Sequence, residues 1–529
     1  MSEHGVDKEA ITEIKKRVAR RIEKFEQMAP GRTPEIGNGV TPKLLKDCMA
    51  ADELGDGILF ATLHRDRFLH NSNAQEWLTW GGHAWARDVH QSVLGAAETV
   101  VDCLLDATIE VSKEIADASK SGDDQKAGRL KAYRARLYER VQRLRTDKGR
   151  TTAVKMARTN PHQSLVVMAE EMDTNPWLLA CKNGVIDLES GRFRDGVPAD
   201  RISMSAPTEW HGLEEPATRW EQFLREVFDN DEELIAYLHR LFGMAIIGKV
   251  NEHIFPVLWG IGRNGKGTLV ETFAHVLGPL AGSIQAEMLL STKHPRSSAG
   301  PSPDIMGLKG LRLAFASETD EGQHFSPAKV KLFTGGDTLV GRHPHDKYDV
   351  RFRPSHTLIL LTNHRPRVSP DDFAFWERLH LVPFKLSFVN RDPVADHERR
   401  ADPQLDKLIK AEGAGILSWL VRGCLVYQRD GLNPPEAVTK ATRVYQRGED
   451  LLADFLELHC DLDKTYECQA TAAYHRFNDW YKENIDEGEG GKGMSQKRFG
   501  YLFGRKFEKV KRQGGVYFYS GVRLKPVWG

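Results

Sequence analysis

The sequence predicts a multidomain α/β protein, and three observations support this prediction. The 529-residue chain is several times longer than a single hydrophobic core usually is. Strand-like apolar runs alternate with helical segments between about residues 255 and 388, which predicts a mostly parallel sheet covered by helices. A long helical pattern precedes this region and a strongly basic segment follows it. With 40% hydrophobic and 28% charged residues, the composition is that of a globular protein.

Charge and cysteine usage exclude several classes of protein. Lys plus Arg and Asp plus Glu both number 74, so any nucleic-acid or membrane surface has to be local. Cys460 and Cys468, with His459 and His475 nearby, match no common metal-ligand spacing. No run of about 18 apolar residues exists, so we expect a cytoplasmic protein with no membrane partner and no secretory signal.

Composition and periodicity divide the chain into four predicted parts. A Gly/Pro-rich passage from Pro30 to Pro42 separates a basic helix-like stretch, Ile14 to Gln27, from the rest. A second Pro-rich linker lies at 433–435. The predicted parts are an N-terminal extension and linker (1–50), a helical N-terminal domain (51–215), an α/β domain (216–435) and a C-terminal domain (436–529).

The N-terminal domain is predicted to be mainly helical. Helical periodicity runs from Val89 to Ile115 and from Gln125 to Arg145. Two short apolar runs around an Asn-Gly turn at 183–184 predict a hairpin at the end of this domain. We expect the tryptophans that precede the helices to fill the core of the domain. They are Trp77, Trp80 and Trp85.

The sharpest local signal is a glycine-rich loop between a predicted strand, 254–259, and a predicted helix. It runs Trp259-Gly-Ile-Gly-Arg-Asn-Gly-Lys-Gly-Thr-Leu-Val270. Glycines allow successive backbone N–H groups to point at phosphate oxygens, and the helix N-terminus and Lys266 add positive charge. The loop therefore predicts an ATP-phosphate site, and a simple strand-to-helix turn is the alternative. The expected nucleotide-binding residues are Gly260, Gly262, Asn264, Gly265, Lys266, Gly267, Thr268 and Leu269.

A magnesium ion is expected beside the phosphates. The Ser/Thr that usually follows the lysine is Gly267 here, so the hydroxyl ligand is expected at Thr268 unless water replaces it. The predicted strand 311–317 ends in acidic residues that suit Mg²⁺ binding or polarisation of the attacking water. Glu318 is the first choice and Asp320 the second, and a solvated acidic turn is the alternative.

A third predicted strand, 356–362, ends in a polar amide. Asn363 at that position suits a group that orients water or senses the γ-phosphate. Asparagine at a strand end is also a common turn former. The sequence alone leaves both roles open.

These motifs, taken with others in the chain, resemble a known family. The further motifs are Lys331-Leu-Phe-Thr-Gly-Gly-Asp337, Trp376-Glu-Arg-Leu-His-Leu-Val-Pro-Phe384, Trp80-Gly-Gly-His-Ala-Trp85 and the stretch 175–187. In this order they resemble the superfamily 3 helicase of phage and plasmid primase-helicases, which is related to the poxvirus primase-helicase. The resemblance spans about residues 50 to 430. It implies an AAA+-like P-loop ATPase core behind a helical collar domain, with ATP and Mg²⁺ as cofactors.

The resemblance also implies catalytic roles for the matching residues. Arg378 is similar to the arginine finger that reaches the nucleotide of the neighbouring subunit, where positive charge stabilises the transition state. The family often has paired arginines there, whereas this chain has Glu377-Arg378, which leaves Arg378 as the candidate. Arg365 and Arg367 are weaker candidates, and a surface salt bridge is the alternative role for Arg378. The other implied roles are phosphate contact for Lys266, the acidic-motif carboxylate for Glu318 and the polar sensor for Asn363.

Two segments are predicted to contact DNA. In similar helicases, a hairpin like the one predicted between Thr338 and Arg353 projects into the central channel and grips one strand, and we expect His345 and Lys347 to make this contact. A solvated hairpin is the alternative. Residues 491–529 contain ten Lys/Arg and one acid. A predicted helix at 495–507 and a hairpin at 509–525 resemble a winged helix, although RNA or an acidic partner is an alternative ligand. The expected DNA contacts are Lys497, Arg498, Arg505 and Lys506.

The resemblance implies an ATP-dependent DNA helicase that acts as a homo-oligomeric ring, a hexamer, and unwinds DNA 3′ to 5′. It implies a role in replicating a phage, prophage or plasmid in the cytoplasm of a bacterial host. About 50 residues precede the predicted collar, too few for a polymerase core, so we expect any primase or polymerase to be a separate chain. A nucleotide-gated origin-binding protein that does not unwind DNA and a primase-helicase are the alternatives.

Overall fold

The computed structural model describes residues 39–159, 165–291, 301–317, 323–344, 348–450, 452–484 and 493–526. They form two compact units, which we describe separately. The first comprises the described residues up to Met172 together with Val197–Ser203, and the second comprises Asp173–Gly196 and the described residues from Met204 onward. The predicted basic helix at 14–27 lies outside the described residues.

The first unit combines helices with a small sheet. Its helices are α1 (Pro42–Ala50), α2 (Asp52–His64), α3 (Ser92–Ala96), α4 (Glu98–Lys120), α5 (Asp124–Leu144) and α6 (Asp147–Thr159). Its strands are β1 (Phe68–Asn71), β2 (Glu76–Trp80), β3 (Trp85–Arg87) and β4 (Val166–Val167). The strand order is β3-β2-β1-β4, with only the β1–β4 pair parallel.

The two long predicted helices of this unit are confirmed with small shifts. The first is divided between α3 and α4, and the second is α5, whose N-terminus is capped by the Asp123 side chain accepting from the Lys126 N–H. The sheet was not predicted because its strands are only two to five residues long. Trp85 is buried and its indole N–H donates to the Pro198 carbonyl, whereas Trp77 and Trp80 are half-buried.

The second unit is built around a parallel sheet. Its earlier elements are β5 (Leu178–Cys181), β6 (Gly184–Asp187), β7 (Arg192–Arg194), α7 (Thr218–Val227), α8 (Glu232–Ala245), β8 (Phe255–Trp259), α9 (Lys266–Leu277), β9 (Ala281–Ile284), α10 (Pro303–Met306), β10 (Leu313–Ser317) and α11 (Pro327–Thr334). Next come β11 (Leu339–Gly341), β12 (Val350–Phe352), β13 (Thr357–Thr362), α12 (Phe373–Trp376), β14 (Leu379–Pro383), β15 (Ser387–Val389), β16 (Glu398–Arg400), α13 (Leu405–Ala411) and α14 (Gly413–Asp430). The last are α15 (Glu436–Gly448), α16 (Ala453–His459), β17 (Cys460–Gln469), α17 (Ala470–Asn484), α18 (Gln496–Lys506), β18 (Lys509–Lys511) and β19 (Tyr517–Leu524).

The central sheet confirms the predicted mostly parallel α/β architecture. Five parallel strands lie in the order β14-β8-β13-β10-β9. Both faces are buried, since Leu358 and Leu360 pack into one apolar cluster and Ile359 and Leu361 into the other. The three predicted strands are confirmed as β8, β10 and β13, each starting one or two residues later than predicted. The strand that ends in acidic residues, β10, does not lie next to β8, because β13 lies between them.

The hairpin β5–β6 belongs to the second unit and not to the N-terminal domain in which the sequence analysis placed it. Leu179 and Ile186 pack into the same apolar cluster as α8 and α14. The buried Arg312 guanidinium also donates to the Pro176, Leu178 and Ile246 carbonyls at 2.8, 2.9 and 3.2 Å. This side chain therefore ties the hairpin and the end of α8 to the start of β10.

Helix α15 follows the Pro-rich stretch at 433–435 and packs on the sheet, although the sequence analysis assigned it to the C-terminal domain. The Leu381 N–H donates to Thr442 Oγ1 at 3.0 Å, and Tyr445 is buried in the cluster beneath β14. The predicted tail helix and hairpin are confirmed as α18 and β18–β19. A third strand, β17, pairs with β19 and was not predicted, because most of its residues are polar.

None of the described helices is both long and apolar enough to cross a bilayer.

We expect Arg312→Met to destabilise the second unit by about 3 kcal/mol, because it removes a buried donor that the Leu178 and Ile246 carbonyls use and that the Pro176 carbonyl shares with the Gly248 N–H. The measurement is the chemical-denaturation midpoint of the full chain. Arg429→Met is the matched control, since the side chain of Arg429 is 73% exposed. A midpoint equal to that of the control would contradict the structural role of Arg312.

Candidate nucleotide and nucleic-acid sites

The glycine-rich loop connects the end of β8 to the start of α9, as expected. Gly265 has φ +87°, and an added Cβ would lie 2.8 Å from Val227 Cγ2. An added Cβ at Gly260 would lie 2.3 Å from the Phe384 carbonyl oxygen. Both positions therefore require glycine, one for its backbone conformation and one for a close approach. By contrast, a Cβ at Gly262 or Gly267 would meet open space.

Lys266 is the first residue of α9 and is 6% exposed. Its ammonium donates to the Gly260 carbonyl at 2.6 Å and to Asn363 Oδ1 at 3.0 Å. Burial lowers the pKa of Lys266 to about 8. Both acceptors are neutral, so the loop holds a buried cation whose charge an anion could balance.

Asn264 adds a donor to the same loop. Its side chain is 3% exposed, and its Nδ2 has no hydrogen-bond partner among the described residues. A buried amide without an acceptor is costly unless a ligand supplies one. The orphaned amide, the buried ammonium and the N-terminus of a 12-residue helix together suit a phosphate group.

The carboxyl ends of three parallel strands meet at the edge of the sheet that carries this loop. Thr362 of β13 pairs with Trp259 of β8, and Ser317 of β10 pairs with Leu361 of β13. Asn363 therefore follows the strand next to β8, which explains its contact with Lys266. Glu318 and Asp320 lie outside the described residues, and the chain leaves β10 toward them at this same edge.

A cleft of about 850 Å³ opens beside the loop, a volume suited to a small-molecule ligand. Its lining includes Thr268, Phe223 and Phe388. Arg219 also lines it, paired with Glu226 at 3.2 Å and with Asp402 at 3.1 Å. The sequence analysis missed the cleft residues outside the glycine-rich loop because they come from α7, β15 and the segment 399–406, and no local pattern connects these segments.

Arg378 lies at the opposite edge of the sheet from Lys266. Its carbonyl accepts from the Phe255 N–H at 2.6 Å, at the beginning of β8, whereas the glycine-rich loop follows the end of that strand. Four residue steps of β-strand span about 13 Å. The structure therefore does not bring Arg378 and Lys266 together within one chain.

The guanidinium of Arg378 has a hydrogen-bond donor that the described residues do not use. Its Nη1 donates to the Ala374 carbonyl at 3.2 Å, and its Nε is buried without a hydrogen-bond partner among the described residues. It lines a cleft of about 390 Å³ with His253, Lys331 and Asp337, so part of the 331–337 motif is its neighbour. Arg365, by contrast, lies 4.5 Å from the Trp259 ring, on the side of the glycine-rich loop.

The predicted DNA-binding residues differ in their surroundings. His345 and Lys347 lie outside the described residues, although the β11–β12 hairpin that precedes and follows them is present. Lys497 and Arg498 are exposed on α18. Arg505 and Lys506 are held by Asp371 at 3.3 Å and Asp450 at 2.6 Å, so they dock α18 on the rest of the second unit.

The candidate metal ligands are few among the residues that the structure describes. Among the described residues, no group of three or more His, Cys, Asp and Glu side chains is arranged to hold a metal ion. Thr268, the predicted hydroxyl ligand, is half-buried on α9 and lines the larger cleft. Its predicted partner, Glu318, lies outside the described residues.

Comparison with known proteins links the chain to large viral proteins. Residues 57–229 match the family described as D5 N terminal like. A candidate helicase of Acanthamoeba polyphaga mimivirus, L207/L206, is 29% identical over 327 residues, covering 59% of this chain and 34% of that protein. A candidate helicase of Frog virus 3, 022R, is 25% identical over 389 residues, covering 60% of this chain and 40% of that protein.

Two further similarities are weaker. A candidate primase of African swine fever virus, C962R, is 26% identical over 246 residues, covering 44% of this chain and 25% of that protein. The solved C-terminal region of NrS-1 matches 70% of this chain and 89% of that chain, with 12% identity and a TM-score of 0.38.

The matches to viral relatives cover less than half of the relatives' own length, between 25% and 40% for the three proteins above. The D5 N-terminal-like match in the first part of the chain and the similarity to viral proteins named as helicases or primases agree on one family. These matches support a phage or viral primase-helicase family for the chain.

Proposed function

We propose that this chain is an ATP-dependent DNA helicase of superfamily 3 that acts as a hexameric ring in genome replication. The observation that carries the proposal is the placement of Lys266 and Arg378 at opposite edges of one parallel sheet. A phosphate held at one edge then needs the arginine of another subunit. The relatives named as helicases support the same activity.

In this proposal the glycine-rich loop holds the triphosphate. Lys266 contacts the β and γ phosphates, Asn264 donates its orphaned amide, and the N–H groups at the start of α9 complete the cradle. The cleft beside Thr268 receives the nucleoside. Thr268 and Glu318 would hold Mg²⁺, which neutralises charge that develops on the phosphates.

Asn363 changes partner when nucleotide binds. It now accepts from the Lys266 ammonium, which the phosphate then attracts. The released amide lies beside the γ-phosphate and can orient the attacking water, while Glu318, or Asp320 as second choice, takes its proton. Hydrolysis therefore depends on a polar side chain that nucleotide binding itself frees.

Arg378 completes the site of the neighbouring subunit. Its unused Nε–H suits an anion that arrives from outside the chain, and Lys331, which pairs with Asp372, lines the same cleft. A head-to-tail contact of this kind closes into a ring when its rotation closes. Requiring a neighbour couples hydrolysis to assembly.

DNA is the proposed substrate along which the helicase moves. The β11–β12 hairpin, with His345 and Lys347, would hold phosphates in the channel, and α18 would present Lys497 and Arg498 as part of a winged helix. Arg505 and Lys506 are reassigned to docking because acids of the same unit already hold them. The family resemblance implies 3′ to 5′ movement and a cytoplasmic site of action in the host cell.

We expect Lys266→Ala to reduce ATP hydrolysis and displacement of a labelled strand from forked DNA by about a hundredfold or more, because it removes the cation at the transferring phosphate. Lys440→Ala, at an exposed position on α15, is the control. Primer synthesis from labelled nucleotides is measured in parallel. ATP hydrolysis without displacement would favour an origin-binding protein, and labelled primers would favour a primase-helicase.

We expect Arg378→Ala and Lys266→Ala each to be inactive alone and partly active when mixed. In a randomly mixed ring, about a quarter of the sites pair an intact Lys266 with an intact Arg378 from the neighbour. The measurement is the steady-state ATPase rate of equimolar mixtures after subunit exchange. Full activity of Arg378→Ala alone, or no recovery on mixing despite shown exchange, would contradict a shared site.

We expect Lys266→Met to raise the Tm of the nucleotide-free protein at pH 7 relative to wild type. Folding lowers the pKa of Lys266 from 10.5 to about 8, so the buried charge destabilises the fold fully below pH 8 and progressively less as the pH approaches 10.5. The Tm difference should therefore shrink between pH 7 and pH 9.5. The measurement is differential scanning calorimetry across this range, and a pH-independent difference would refute burial of the charge.

A further inference from the structure

A second concentration of positive charge lies in the first unit, far along the sequence from the nucleotide site. Residues 124–159, which form α5, α6 and the turn between them, contain twelve Lys/Arg and three Asp/Glu. The whole chain has 74 of each kind. A net charge of +9 on 36 residues is therefore a local field, comparable to that of the C-terminal tail.

Part of this charge has a structural role inside the unit. Arg140 is 5% exposed and pairs with Asp52 at 3.0 Å and with Asp56 at 3.3 Å. Arg150 pairs with Glu98 at 2.8 Å. These arginines neutralise acids of α2 and α4, so they explain only some of the excess.

Four of the remaining cations lie on helix faces that carry no acid. On α5, one face carries exposed residues at spacings of four, three, four and three, and none of them is acidic. They are Lys131, Ala135, Tyr138, Gln142 and Arg145. On α6, four exposed residues spaced three or four apart likewise include no acid. They are Lys148, Thr151, Lys155 and Thr159.

We define the basic ridge as Lys131, Tyr138, Arg145, Lys148 and Lys155. Among the described residues, the three lysines form no ion pair, and Arg145 makes a single 3.4 Å contact with Glu98 while remaining 46% exposed. Tyr138 is a large aromatic side chain that is 47% exposed. The ridge thus combines lysines that form no ion pair with the described residues and one exposed aromatic side chain, that of Tyr138.

We propose that the basic ridge binds single-stranded DNA. The proposal rests on the proposed function for DNA as the partner, but not on ATP hydrolysis. Positively charged surfaces that follow a nucleic-acid backbone and carry exposed aromatic rings are the general solution for single strands. The ring of Tyr138 can stack only on a base that is not already stacked in a duplex, which favours a single strand as the occupant.

The spacing of the ridge suits several nucleotides. Lys131, Tyr138 and Arg145 are separated by seven residues each, about 10.5 Å of helix rise. Contacts to phosphates on either side of a stacked base would carry no sequence preference. The ridge would therefore hold a strand without selecting its sequence, as a motor that moves along DNA requires.

The test compares two triple charge reversals in the full chain, without nucleotide. The ridge variant is Lys131→Glu, Lys148→Glu and Lys155→Glu. The control is Lys43→Glu, Lys46→Glu and Lys120→Glu, which makes the same charge change at exposed positions of the same unit. Binding of fluorescein-labelled dT30 is followed by fluorescence anisotropy at salt concentrations between 50 and 200 mM.

We expect the ridge variant to bind dT30 at least tenfold more weakly, with the slope of log K against log salt reduced by about 2, since three phosphate contacts are lost. The control should change affinity less than threefold. Tyr138→Ala should weaken binding of dT30 about tenfold and leave binding of a hairpin duplex unchanged. Circular dichroism and sedimentation of every variant verify fold and assembly.

Three results would overturn the proposal. Equal losses in the ridge and control variants would mean that only net charge matters. Equal losses for dT30 and duplex with Tyr138→Ala would exclude stacking on a single strand. Normal dT30 affinity with a smaller sedimenting species would assign the ridge to contact between copies of the chain. The binding assay contains no nucleotide. If the ridge binds dT30 but the chain has no ATPase activity, the proposed function is refuted and this inference is not.

Discussion

The buried ammonium of Lys266 is the constraint on which the rest of the nucleotide site depends. It is held by one backbone carbonyl and one amide oxygen, both neutral, and its pKa is lowered to about 8. The ends of two adjacent strands bring these two oxygens to the ammonium, whereas the N-terminus of α9 adds further positive charge beside it. Glycine at positions 260 and 265 lets the backbone come that close. An anion beside the ammonium would offset the cost of burying its charge.

Parallel strand polarity then decides how many subunits one site needs. All carboxyl ends of β8, β10 and β13 meet at one edge, and every side chain that precedes a strand lies at the other. Arg378 precedes β14, at the end of the sheet opposite to Lys266. Under the proposed function, an arginine at that end serves a nucleotide in a neighbouring subunit, so the requirement for assembly would follow from the sheet topology.

Local patterns predicted the elements well and their arrangement less well. β8, β10 and β13 were predicted to within two residues because each is a short apolar run bounded by polar residues. Their order was not predicted, since adjacency in a sheet depends on crossover connections, and Asn363 therefore came closer to Lys266 than the acidic strand. The cleft beside Thr268 could not be predicted either, because Phe223 and Asp402 are almost 180 residues apart. The hairpin at 178–187 was predicted correctly but assigned to the wrong domain. Its packing partner depends on tertiary contacts, such as the hydrogen bond from Arg312 to the Leu178 carbonyl, that no local pattern shows.

The folded structure shows which basic residues are available to bind a ligand, whereas a count of basic residues in the sequence does not. Arg505 and Lys506 belong to the basic tail by sequence, yet Asp371 and Asp450 hold them. Asp371 precedes Asp372, which pairs with Lys331 and caps the short helix before Arg378. The docked tail helix and the segment before Arg378 are therefore connected through two consecutive aspartates. A ligand that competes for Arg505 would break its ion pair with Asp371, the residue next to the cap of that short helix.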